Sequence, residues 1–181
     1  EELLRAREQE LRSLFDNVVD GIITIDARGC IRAFNPAAER LFGWHAALFP
    51  TGYTGMNKLT VGQWRDDAAG PMQVVSGPVG RRKVHFQAPP ADALSVETAK
   101  FLSWANEDTG EPALVKAGLA HLWFVTLHPF DDGNGRMARA IADMQLARAD
   151  NSSNRFYSLS AQIRKERNAY YDVLEHTQKD S

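Results

Sequence analysis

The stretch HPFDDGNGRMAR, residues 128–139, places a histidine, two carboxylates, a Gly-Asn-Gly turn and two arginines within twelve positions. Gly133 and Gly135 permit backbone angles and a closeness of approach that side chains would forbid. Successive backbone N–H groups entering a helix, with the helix dipole behind them, make a cradle for phosphate oxygens. Asp132 is a hard oxygen ligand suited to magnesium that bridges phosphates. Arg136 and Arg139 lie one helical turn apart, share a face and can clamp phosphate oxygens. His128 precedes the cradle with a side chain suited to accepting a proton from an attacking hydroxyl. Together these groups predict transfer of a phosphate-bearing group from a nucleotide to a hydroxyl, whereas the turn alone could equally be a helix cap.

The flanks supply the scaffold. PALVKAGLAHLWFVTL, before the loop, is apolar on nearly every side and predicts a central buried helix. RMARAIADMQLARA, after it, reads as another, as do ALSVETAKFLSWANE and the amphipathic SLSAQIRKERNAYYDVLEHTQ. Between residues 72 and 86, MQVV and KVHF are strand-like and joined by a Gly/Pro-rich turn, hence a hairpin, while PTGYTG reads as a loop. His121, among apolar neighbours, is expected to be a core histidine, and His45, His85 and His176 show no metal-ligand spacing. A length of 181 residues admits one ordinary domain or two small ones. A formal charge of −2 gives no footprint for nucleic-acid binding, and no apolar run reaches membrane-spanning length. The polar N-terminus lacks signal-peptide character and the lone Cys30 excludes an internal disulfide, so a reducing, cytoplasmic setting is expected.

The string at 128–139 resembles the Fic-domain signature His-x-Phe-x-(Asp/Glu)-Gly-Asn-Gly-Arg-x-x-Arg at every specified position. LFPTGYTGM, VGQWRDD, the hairpin and FYSLSAQIRKERNAYYDVL extend the likeness to about residues 40–178. The resemblance implies a mainly α fold with β-hairpins (α+β), built on a helical core with a flap. It also implies transfer of AMP from ATP to a protein hydroxyl, with Mg2+. Carried over by position, His128 is the base, Phe130 the anchor of the loop in the core and Asp132 the metal ligand. Gly133, Asn134 and Gly135 form the anion hole, and Arg136 and Arg139 orient phosphates. The flap (Val74, Val75, Lys83, Val84, His85, Phe86) would hold a target protein segment by strand addition. Tyr157 and the group Asn168, Tyr170 and Tyr171 would line the adenine pocket, with core packing an equal alternative for them.

LRSLFDNVVDGIITIDARGCIRAFNPAAERLFGW resembles instead the opening of a PAS domain: a leading helix, a hairpin around ARGC, and a helix begun by Asn35-Pro36. The remaining PAS strands, with the histidine or cysteine elements that hold haem or flavin, are missing, so neither cofactor is expected. The resemblances meet within residues 37–49, predicting a partial PAS-like segment at 1–43, a Fic domain at 44–181 and a natural or engineered fusion through one shared helix. The Fic family's inhibitory pattern (Ser/Thr)-x-x-x-Glu-(Gly/Asn) has no full match. Ser103 to Asp108 comes close but ends in aspartate, which implies an unrestrained enzyme. Fic domains of this type usually continue past the helix that ends here at EHTQKDS, so a loosened core is one consequence to expect. The competing reading is a PAS-like dimerisation module carrying an inactive Fic scaffold; a third keeps the enzyme but changes the donor to another nucleotide or CDP-choline.

Leu4, Leu11 and Val18 repeat every seven residues, and a lone two-stranded hairpin is marginal in water. The expected outcome is a homodimer through residues 1–42. Light scattering of the purified chain should give a dimer mass, and a single monomeric species at high micromolar concentration would refute it.

Overall fold

The computed structural model describes residues 23–25, 31–34, 36–78, 80–151 and 158–179. The heptad helix, the ARGC turn and Tyr157 lie outside the described residues. The chain forms two compact units, Glu1–Gln63 with Ser95–Thr109, and Trp64–Leu94 with Gly110–Ser181. It is mainly helical, and among the described residues the strands form three two-stranded antiparallel sheets.

In the first unit, β1 (Ile23–Ile25) and β2 (Ile31–Phe34) pair with a bulge between Thr24 and Ile25. Helix α1 (Pro36–Leu48) starts on the proline that the sequence marks, since the first helical position needs no N–H. It buries Leu41 and His45, with Phe49 just beyond its end. The His45 ring lies 5.3 Å from that of Phe49, and its Nδ1 accepts the Gly62 N–H at 3.0 Å. PTGYTG (50–55), read as a loop, holds strand β3 (Tyr53–Thr54), which pairs with β4 (Asn57–Lys58) just beyond it in a minimal hairpin. Helix α2 (Leu94–Asn106) buries Thr98, Phe101 and Ala105, and its Ser103 hydroxyl donates to Glu107 at 2.8 Å.

The second unit is organised by α3 (Ala113–Leu127) and α4 (Asn134–Ala149), which pack together across the 128–133 loop. Ala117, Ala120, Ala138 and Ala142 are all buried, and such small side chains let helix backbones approach closely. Phe124, Phe130, Met137 and Ile141 complete the apolar centre. Helix α3 is not buried on every side as its composition suggests. Its second half is enclosed, but Leu114 is 75% exposed and Val115 and Leu119 stay partly open, so apolar content overstated its burial. The hairpin of β5 (Gln73–Ser76) and β6 (Lys83–Gln87) starts one residue later than MQVV suggests. The C-terminal amphipathic stretch is two helices, α5 (Leu159–Lys165) and α6 (Arg167–Lys179). They part at Glu166, whose φ of −112° and ψ of 35° leave the helical region while its N–H still bonds the Gln162 carbonyl.

Arg65 joins the strand-bearing segment to the loop. Its guanidinium is fully buried; Nε donates to the His128 carbonyl at 2.8 Å, NH1 to Asp67 at 2.7 Å and NH2 to the Pro89 carbonyl. Its backbone N–H bonds the Pro129 carbonyl at 3.0 Å. Removing one member of a buried charged network strands the others. Arg65→Ala is therefore expected to cost about 3 kcal/mol, and Arg65→Lys to recover only part of it, because an ammonium lacks the planar fork that reaches three acceptors. Denaturant unfolding at unchanged slope checks this, and a loss under about 1 kcal/mol for the alanine variant would contradict it.

Candidate active site

Two left-handed residues shape the 128–139 loop. His128 caps α3 at φ 47° and ψ 53°, its N–H bonding the Phe124 carbonyl. That conformation is uncommon for a side-chain-bearing residue and turns the chain sharply out of the helix. Pro129 then prevents continuation. Gly133 sits at φ 84° as the N-cap of α4, where a side chain would be strained. No side chain caps this helix, so its first N–H groups are suited to an external anion.

Between these turns the loop is closed by Asn134. Its Oδ1 accepts the Phe130 N–H at 3.0 Å, and its Nδ2 donates to the Phe130 carbonyl at 2.7 Å. The buried Asn134 amide thus holds the loop rather than facing outward, which leaves its backbone for any anion. Phe130 is fully buried, with its ring 5.6 Å from Trp64 and 6.4 Å from Phe124, as an anchoring residue requires.

His128 Nδ1 donates to the Val125 carbonyl at 3.1 Å, leaving Nε2 as the ring's acceptor. Burial pushes its pKa below the ordinary histidine value, and Arg65 adds to that; the Val125 bond and Asp132 oppose it. The neutral, proton-accepting form is therefore favoured. Asp132 Oδ1 accepts the Gly133 N–H at 2.6 Å, and Oδ2 lies 3.9 Å from Arg136. Arg139 folds back along α4, so a Cβ on Gly135 would meet its NH1 at 3.3 Å. Its Nε donates to Ser160 Oγ on α5 at 3.0 Å.

The hairpin residues named from sequence fall on β5 and β6. Val74 pairs with Phe86, Val75 with Val84 and Ser76 with Lys83; the slip between Val74 and Val75 leaves His85 without a Cα partner. That bulge re-aims the ring. Nε2 meets Ser76 Oγ at 2.6 Å and Nδ1 meets Glu175 at 2.7 Å, while Lys83 reaches Glu175 at 3.0 Å. The hairpin is thereby tied to α6, a connection that sequence spacing could not reveal. Arg65 was equally hidden; its one local signal is Asp67 two positions on.

Behind Arg139, the buried His121 Nε2 lies 2.9 Å from the Tyr170 hydroxyl, whereas Nδ1 has no partner among the described residues. It is a core histidine as expected. Tyr170 also stacks edgewise on Tyr171 at 5.2 Å.

Among the described residues no group of three or more His, Cys, Asp or Glu could hold a metal by itself. The partly exposed Asp132 carboxylate nevertheless fits magnesium, which commonly binds through one or two carboxylates together with substrate phosphates. No described helix is long and apolar enough to cross a membrane.

Two family models match this chain. The Fic/DOC family matches residues 35–146, and the PAS fold matches residues 9–47. Sensor protein FixL of Bradyrhizobium diazoefficiens is 54% identical over 41 residues, 23% of this chain and 8% of that protein. Uridine 5'-monophosphate transferase of Xanthomonas campestris is 31% identical over 140 residues, 64% of this chain and 24% of that protein. Protein adenylyltransferase Fic of Culex quinquefasciatus is 33% identical over 94 residues, 50% of this chain and 17% of that protein. The chain thus spans less than a quarter of each of these relatives. A crystal structure of a Fic family protein from Desulfovibrio desulfuricans superposes with TM-score 0.57 at 29% identity, covering 79% of this chain and 40% of that one.

His121 and His128 are both held below the ordinary pKa, chiefly by burial. The unfolded chain binds protons at these rings more readily than the folded one, so stability falls as pH drops below about 6.5. The unfolding midpoint should decline over that range, and His121→Gln should flatten part of the decline. An unchanged slope in that variant would exclude His121 as a source.

Proposed function

The chain belongs to the Fic/DOC family, and from that premise we propose that it transfers a nucleoside monophosphate, AMP from ATP in the first instance, to a hydroxyl of a protein. The observation that carries this reading is the pairing of an uncapped helix N-terminus with a histidine whose Nε2 accepts. The N–H groups at the start of α4 receive the phosphates, with Arg136 and Arg139 flanking them. His128 Nε2 takes the proton of the incoming hydroxyl as its oxygen attacks the α-phosphorus in line. The Pα–O bond to the β-phosphate breaks and pyrophosphate leaves. Asp132 would hold magnesium, which when bound neutralises phosphate charge. The chain's own contribution is positioning: Arg65 and Asn134 fix the loop so that little reorganisation accompanies reaction.

The β5–β6 hairpin presents a target segment, and the exposed Val74, Val75 and Val84 suit an extended peptide. Its attachment to Glu175 keeps the hairpin in place. The donor has a second reading. The match to the uridine 5'-monophosphate transferase covers more of this chain than the adenylyltransferase match, which favours testing UTP beside ATP. Residues 1–43 are proposed as a PAS-derived segment joined through α1; the PAS and Fic/DOC matches overlap there.

The test is label transfer from α-labelled ATP or UTP with magnesium, to the protein itself and to a cell lysate. The unaltered chain should transfer label, and His128→Ala should lose roughly 100-fold or more, the usual worth of a positioned base. Neither label nor nucleotide-dependent thermal stabilisation would instead support the inactive scaffold with a dimerisation role.

A further inference from the structure

Resting on the reading above, we infer that Ser160 is a positioning residue, setting the orientation in which Arg139 meets the nucleotide's phosphates. Two contacts bound the Arg139 guanidinium. Its Nε donates to Ser160 Oγ at 3.0 Å, across from α4 to α5. Its NH1 lies against Gly135, where a Cβ would come within 3.3 Å. The group therefore runs back along α4 toward the helix start, with its terminal nitrogens at the proposed anion cradle and its Nε edge turned away.

A guanidinium is planar and rigid, so an acceptor on Nε and a close backbone beside NH1 together narrow the directions in which its remaining donors point. Without Ser160, the long flexible stem would leave Arg139 many orientations and the phosphates would have to select one. That ordering cost is what a bound partner on Nε removes in advance. Gly135 has a matching role, since any side chain there would crowd NH1. The cation also bears on the His121–Tyr170 pair of α3 and α6: burial lowers the His121 pKa and Arg139 adds to that, while burial raises the Tyr170 pKa and Arg139 opposes it. Three helices thus converge on one arginine.

Ser160 is well suited to a test because it is exposed and is not the helix cap. That role belongs to Ser158, whose Oγ accepts the Ala161 N–H at 3.2 Å. Ser160→Ala should leave the fold intact while removing the acceptor.

The experiment is a double-mutant cycle on the full chain, reading the Kd for magnesium-ATP and magnesium-UTP by calorimetry. Ser160→Ala should weaken binding roughly three- to tenfold, the net worth of one solvent-exposed hydrogen bond. Its melting temperature should be unchanged, and Ser160→Thr, which keeps the hydroxyl, should restore affinity. In an Arg139→Ala background, Ser160→Ala should cause no further loss. Wild-type affinity in Ser160→Ala would overturn the inference, as would an equal loss in the Arg139→Ala background, and both would leave the proposed function standing. Failure of the unaltered chain to bind either nucleotide would overturn this inference and the proposed nucleotide chemistry together.

Discussion

Arg65 is where the second unit is tied together, and the shape of the 128–139 loop depends on it. A buried guanidinium loses hydration that only several well-aimed acceptors can replace. Here the acceptors are the His128 and Pro89 carbonyls and the Asp67 carboxylate, whose other oxygen accepts the Ala91 N–H at 2.6 Å. Burial lowers the Arg65 pKa, while the neighbouring carboxylates of Asp67 and Asp131 support its charge. The same cation bears on His128, adding to the burial that keeps the ring neutral. One side chain thus supports the turn geometrically and the protonation state electrostatically.

That support matters because the loop adopts two conformations that are locally unfavourable or restricted. A left-handed histidine followed by proline does not persist without surrounding structure that enforces it. On one side Arg65 grips the His128 carbonyl; on the other Asn134 grips both backbone groups of Phe130. Phe130 then fills the centre between Trp64 and Phe124. Packing strength is thereby spent on holding open a helix N-terminus that a soluble domain would ordinarily cap with a side chain.

Much of the helical scaffold was legible in the sequence, because proline and glycine mark the starts of α1 and α4 and apolar content marks α3. The candidate residues of the site were legible as a group, since they fall within one stretch of sequence. What sequence could not supply is contact at long range. Arg65 reaches His128, Lys83 and His85 reach Glu175, and Arg139 reaches Ser160, none of which leaves a spacing to read. The break at Glu166 was hidden for another reason: it involves no glycine or proline, and the amphipathic pattern runs through it. The overreading of α3 shows that an apolar helix can still present one open face. Composition reports what a helix could bury, and packing partners decide what it does bury.

These long-range ties suggest a division of labour within the second unit. Helices α3 and α4, with alanines buried in each, give a rigid pair whose connecting loop has little freedom. The elements proposed to touch reactants are each attached by one polar contact or a few: the hairpin through Glu175, and Arg139 through Ser160. Polar attachments of this kind contribute about 1 kcal/mol each, against several for a buried aromatic. They can therefore change partners without endangering the core. A fold organised in this way can vary the hairpin, α5 or α6 without disturbing the α3–α4 pair. The histidine, the cradle and Arg65 would stay where the chemistry requires them.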